Sequence, residues 1–230
     1  SITQSKATIT IQSATQEFVY DCSAHAAPLF TVTYEGTPVA SETDGITFVL
    51  PTGDNLTVTT TVQGVTYVSE NAEHNNTFTY TLEHADNYTN VPSTTFGTLS
   101  ITMKPLTITA GSNTKNYDGS ALLENSYAIP SGALSSCDKI SSVTVEGTQT
   151  EVGSSANHPS NAVIMSGERN VTENYNITYV DGVLEVKEQV VQKITTWEED
   201  FSDGIGNVTN NSVGWYELSA NDQRLSAILY

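Results

Sequence analysis

The sequence predicts a mainly β protein made of tandem β-rich modules, sandwich-like or of a related β architecture, that together form an elongated rod. Three observations carry this expectation. Runs of β-branched and aromatic residues recur with strand-like alternation. Helix signals are weak throughout, and residues 106–186 repeat the order of features found in residues 8–101. Self-similarity at a long period points to stacked units with a structural or display role. A chain of 230 residues accommodates two domains of about 100 residues each. The expected division is a first module over 1–104, a second over 105–187, and a C-terminal segment over 188–230 that could open a further domain.

Each module opens with an alternating strand and a Tyr-Asp turn. Ile9-Thr10-Ile11-Gln12 leads to Tyr20-Asp21, and Leu106-Thr107-Ile108-Thr109 leads to Tyr117-Asp118-Gly119. In such a turn the Tyr ring packs on the sheet, the Asp accepts backbone hydrogen bonds and the Gly takes a positive φ. Val62-Gln63-Gly64 and Val145-Glu146-Gly147 are expected in matching places. Each module closes on an Asn-Tyr turn and a Gly-led strand. Asn87-Tyr88 runs into Gly97–Ile101, and Asn174-Tyr175 runs into Gly182–Val186. A framework role explains such repetition better than catalysis, because a single active site need not occur twice.

Between these ends, strands are expected at Phe18–Tyr20, Leu29–Tyr34, Thr57–Val62, Thr77–Leu82 and Thr98–Met103. Glu35–Pro38 and Pro51–Asn55 carry turn chemistry. In the second module the strands are Leu106–Thr109, Ser142–Val145, Ala162–Met165, Ile177–Tyr179 and Val183–Val186. Val180-Asp181-Gly182 reads as a tight hairpin turn between the last two. Ser120–Tyr127 and Pro130–Leu134 could each form a turn or two of helix. Lys104-Pro105 marks the module junction, since Pro105 cannot donate to a ladder and biases Lys104 toward extended backbone.

Tyr117-Asp118-Gly119, Val145–Gly153 and Asn174–Val186 resemble the MBG and YDG repeats of large bacterial surface proteins. The resemblance covers the second module almost wholly and the first more loosely, because Cys22 stands where the turn glycine would be and residues 31–56 are longer. It implies β-grasp-like modules strung in an array as a stalk or adhesin segment, on a bacterial cell surface or secreted.

Composition bounds the partners. Eight Lys and Arg stand against 26 Asp and Glu, for a net charge of -18. With no basic stripe to meet a phosphate backbone, nucleic acid is not an expected partner. Ser and Thr make up about a quarter of the chain, which fits exposed extracellular sheets. No apolar run reaches the roughly 18 residues that span a bilayer, so no membrane insertion is expected. The expected state is a monomer within a longer multidomain chain, with a host or matrix protein or a glycan as partner.

The search for chemistry finds no catalytic motif, cofactor site or metal site. Cys22 and Cys137 occupy non-equivalent places and read more readily as two partly buried thiols than as a bridge. Glu73-His74 and Glu83-His84 could face each other across a hairpin, yet such a pair is more often solvated than metal-bound. Glu42-Thr43-Asp44-Gly45 lacks the ligand alternation of a calcium loop. Lys104, Lys115 and Lys187 read as surface lysines rather than isopeptide donors. The tail concentrates aromatic residues at Trp197, Phe201, Trp215, Tyr216 and Tyr230. They form the core of a small domain, or Trp197, Trp215 and Tyr216 make a platform that stacks on sugar rings. Ser219–Leu229 fits a short capped helix. The function expected is a non-catalytic spacer or adhesion region that presents a binding domain. The alternatives are a carbohydrate-binding module of an extracellular enzyme, or a hydrolase using Glu198, Glu199 and Asp200. The last is disfavoured, since adjacent carboxylates lack the opposed geometry of glycoside hydrolysis.

Overall fold

A computed structural model describes residues 3–189. The strands are β1 (Ile9–Ser13), β2 (Gln16–Val19), β3 (Phe30–Tyr34), β4 (Thr37–Val39), β5 (Thr47–Val49), β6 (Asn55–Thr60), β7 (Phe78–Leu82), β8 (Ser93–Thr95) and β9 (Leu99–Thr102). They continue as β10 (Lys104–Ala110), β11 (Asn113–Asn116), β12 (Tyr127–Ala128), β13 (Asp138–Glu146), β14 (Gly153–Ser166), β15 (Arg169–Asn170), β16 (Tyr175–Val180) and β17 (Gly182–Lys187). The protein is mainly β. Helical structure among the described residues amounts to short 3-10 turns at Val68–Glu70, Ala85–Asn87 and Thr172–Asn174.

Neither expected helix forms. Leu122 makes an antiparallel bridge with Gln149, and Tyr127–Ala128 pairs with Thr109–Ala110, so both ends of 120–127 are held extended by sheet partners. Gly132 turns the chain at φ +73 within 130–134, a conformation no α-helix contains.

The described residues form two compact units. One holds residues 3–108, 129–144 and 160–179; the other holds 109–128, 145–159 and 180–189. In the first unit, the sheet β4-β3-β1-β8 is antiparallel except for the parallel pairing of β1 with β8. Along β1, Ile9, Ile11 and Ser13 are buried while Gln12 is exposed, as the period of two requires. Ile9 and Ile11 share a core with the antiparallel sheet β5-β6-β7, built with Val32, Phe48, Leu56 and Phe78. Each such side chain contributes about 1.5 to 3 kcal/mol when fully buried. Phe78 sits edge-on to both Phe30 and Phe96, with centroids 5.5 and 5.0 Å apart. A second cluster in this unit joins Tyr20, Leu99 and Ile101 to Leu106, Ile108, Ile164 and Tyr175. That cluster is why 129–144 and 160–179 group with the first module's residues.

Cys22 and Cys137, both in this unit, form a disulfide with Cα atoms 6.5 Å apart. This corrects the expectation of two thiols. Non-equivalence within the repeats does not keep them apart, because the segment bearing Cys137 packs against residues of the first module through Ala133 and Leu134. In the chain-entropy picture a closed loop of this size is worth about 5 kcal/mol.

In the second unit, β17 lies between β11, its parallel partner, and Gly153–Asn157 of β14, which runs antiparallel to it. Its core is small: Leu122, Leu184 and Val186, with Tyr117 partly buried against them.

The expected hairpin at Val180-Asp181-Gly182 does not form. β16 pairs with β10, whereas β17 pairs with β11 and β14, so the chain changes sheets at Asp181. Gly182 makes the change feasible, because a Cβ there would lie 2.1 Å from the carbonyl oxygen of Gly111. The first module does the same between β8 and β9, where a Cβ at Gly97 would lie 2.2 Å from the carbonyl oxygen of Ala14.

Candidate functional site

The duplicated Tyr-Asp turns have the same local construction. After Tyr20, Asp21 Oδ1 accepts the Ser23 N–H at 2.8 Å. After Tyr117, Asp118 Oδ1 accepts the Ser120 N–H at 2.9 Å. The following residue is left-handed in both, Cys22 at φ +67 and Gly119 at φ +76. Cys22 thus takes the backbone role of the glycine it replaces. Asp21 also accepts from His25 Nε2 at 2.8 Å, and Asp118 from Lys115 Nζ at 2.6 Å. The Ser23 N–H, helped by His25, lowers the pKa of Asp21. The Lys115 ammonium, followed by the Ser120 N–H, holds the Asp118 carboxyl well below the usual carboxylate range.

The Asn-Tyr pairs end 3-10 turns; Tyr175 then begins β16, whereas Tyr88 makes an isolated parallel bridge with Ser5. Asn87 closes Ala85–Asn87 and Asn174 closes Thr172–Asn174, with the Tyr next in line extended and buried. Tyr88 donates its hydroxyl to Asp54 Oδ2 at 2.7 Å, and Tyr175 donates to Asp138 Oδ2 at 2.6 Å. Burial, with these carboxylates adding to it, raises the pKa of both phenols. The two asparagines part company. Asn174 is buried and accepts the Val68 N–H at 2.8 Å, whereas Asn87 is exposed. Neither Tyr starts a hairpin: Tyr88 lies outside β8, and β16 does not pair with β17.

Two partners escape sequence inspection: the Asp54 and Asp138 carboxylates. Each precedes or opens an alternating strand, which is the signal that could have found them. Also missed are Asn76 and Asn157, both fully buried. Asn76 Nδ2 donates to the carbonyls of Ala14 and Ala27 at 2.9 and 3.0 Å. Asn157 Nδ2 donates to the carbonyls of Gly111 and Glu124 at 2.9 and 2.8 Å. In both, the Oδ1 atom has no hydrogen-bond partner among the described residues.

Val62-Gln63-Gly64 and Val145-Glu146-Gly147 are one residue out of phase. The bridge His25–Val65 corresponds to Leu122–Gln149, which makes Thr148 rather than Gly147 the counterpart of Gly64.

The remaining candidates do not assemble. His74 and His84 lie beyond opposite ends of β7 and do not face each other; His74 Nδ1 bonds the Phe96 carbonyl, and His84 Nδ1 bonds Asp54 Oδ1 at 3.0 Å. Asp44 spends its carboxylate on its own turn, accepting the Ile46 and Thr47 N–H groups and the Thr47 hydroxyl. Lys104 reaches Ser135 Oγ, Lys115 pairs with Asp118, and Lys187 lies 3.6 Å from Glu185. A shallow pocket of about 350 Å³ beside Tyr80, Leu82, Tyr88, Val91 and Pro92 has no Asp, Glu, His or Lys in its lining. Trp197, Trp215, Tyr216, Glu198, Glu199, Asp200 and the segment Ser219–Leu229 lie outside the described residues. What the assembled residues do chemically is close carbonyl groups and turns.

No protein-family model, curated protein or solved structure matches the chain.

Proposed function

We propose that this chain is a non-catalytic structural and adhesion repeat region of a bacterial cell-surface protein, an elongated rod of β-grasp-like modules that spaces or presents a binding domain. The observation that carries this reading is the duplication of one hydrogen-bond framework. Asp21, Tyr88 and Asn76 in the first module have counterparts in Asp118, Tyr175 and Asn157 in the second. The Asp carboxylates bind their own turns, the Asn amide nitrogens bind backbone carbonyls and the Tyr88 and Tyr175 hydroxyls bind Asp54 and Asp138, rather than gathering in a cleft. A module repeated for its framework suits spacing and display. The disulfide fits an oxidising, extracellular setting, and the sequence resemblance to MBG and YDG repeats agrees with it.

The test pairs small-angle scattering of the chain with a glycan-array screen of wild type and a Trp197→Ala, Trp215→Ala variant. An extended envelope with no glycan bound supports the spacer. Glycan binding that the variant loses would move the function to the tail aromatics and overturn the reading.

A further inference from the structure

We propose that the Cys22–Cys137 disulfide is a thiol-exchange site whose opening releases a strap, residues 130–137, from the buried Tyr20–Tyr175 pair. The strap lies between β12 and β13 and belongs to no strand. Its backbone hydrogen bonds are local turns, Ala133 N–H to Pro130 O at 3.2 Å and Asp138 N–H to Ser135 O at 3.0 Å. Side chains supply the other ties. The Ser135 N–H donates to the Tyr175 hydroxyl at 3.0 Å, and Ser135 Oγ donates to the Tyr20 carbonyl at 3.4 Å. Lys104 Nζ reaches Ser135 Oγ at 3.5 Å, and Ala133 and Leu134 pack partly buried on the cluster around Tyr20. A segment held by so few bonds opens locally at low cost once its covalent tie is cut.

A second observation points to the sulfur itself. Cys22 occupies a left-handed backbone position that the second module fills with Gly119. A side chain there works against the backbone preference, so the cysteine serves its cross-link rather than the turn. What the strap covers is also unusual. Tyr20 is buried and edge-on to Tyr175 at 5.5 Å between centroids, and its hydroxyl has no hydrogen-bond partner among the described residues.

Cys137 is exposed while Cys22 is partly buried, so an incoming thiolate reaches Cys137. The thiolate attacks Cys137 Sγ, the S–S bond breaks, and Cys22 leaves as a thiolate that takes a proton from water. A second thiol attacks the mixed disulfide on Cys137, restores the Cys137 thiol and departs as the oxidised disulfide. The reductant is a low-molecular-weight thiol or dithiol.

The experiment uses the full chain, oxidised or treated with dithiothreitol, and follows backbone amide exchange by mass spectrometry. Reduction should speed exchange over residues 130–137 by ten-fold or more while β1 and β3 keep their protection. The Cys22→Ser, Cys137→Ser variant should match the reduced protein, and limited glutathione should leave its adduct on Cys137. Unchanged exchange over the strap, simultaneous loss of protection in β1 and β3, or an adduct on Cys22 would each overturn the proposal. Should the double variant fail to fold, reduction of the folded wild type decides alone.

Discussion

Asn76 and Asn157 hold equivalent positions: each drives its buried amide nitrogen between two backbone carbonyls, one at the end of its module's first strand and one in the loop after its Tyr-Asp turn. In each module one side chain thereby closes the gap left where the chain passes from sheet to loop. Asn76→Ala and Asn157→Ala each strand two carbonyls away from a donor. Each should lose about 2 to 4 kcal/mol in urea unfolding.

Where the chain changes sheets, backbone passes over backbone. Gly97→Ala and Gly182→Ala force a methyl group against the carbonyls of Ala14 and Gly111. Overpacking of this kind costs about 1 to 3 kcal/mol. Gly119→Ala meets open space but keeps φ at +76, so it should cost only about 1 kcal/mol from backbone strain. Thermal unfolding of the three variants should rank them in that way.

The two Tyr-Asp hydrogen bonds should differ in worth. Tyr175→Phe removes a donor from Asp138 and an acceptor from the buried Ser135 N–H. Tyr88→Phe leaves Asp54 with His84 and Thr52 still bonded to it. Denaturant titration should show Tyr175→Phe losing about 1 to 3 kcal/mol and Tyr88→Phe losing less.

The His84–Asp54 pair sets a pH window. The hydrogen bond to Asp54, with the charge of Glu83, raises the His84 pKa above 6.5, while bonds from Tyr88 and His84 lower that of Asp54 below 3.8. The histidine's contribution is therefore complete below pH 6.5 and fades as pH rises through its raised value. The carboxylate's contribution is complete above pH 3.8 and fades as pH falls through its lowered value. An NMR titration should place the His84 pKa above the model-peptide value. In Asp54→Asn it should fall back toward that value.

Legibility in the sequence followed burial. Strands with alternating apolar residues, such as β1, β3 and β17, stand out because one face packs on a core. β8, β11 and the first half of β14 do not, because Ser93-Thr94-Thr95, Asn113–Asn116 and Gly153–Pro159 are largely polar and lie mostly in solvent. Tyr20, Tyr117, Tyr88 and Tyr175 were visible as repeated motifs. Asp54 and Asp138, the partners of Tyr88 and Tyr175, and the Cys22–Cys137 bridge were not, since packing between distant segments decides both. The sheet change at Asp181 was hidden for the same reason. An Asp-Gly pair favours a hairpin locally, but the close approach of Gly182 to Gly111 directs the strand elsewhere.

Both modules rest on one framework closed by a buried asparagine. The most direct test is the side-chain amide exchange of Asn76 and Asn157 after transfer of the isotope-labelled chain into deuterated water. Both amide signals should persist long after those of the exposed asparagines have vanished. Loss of either at the rate of an exposed asparagine would contradict it.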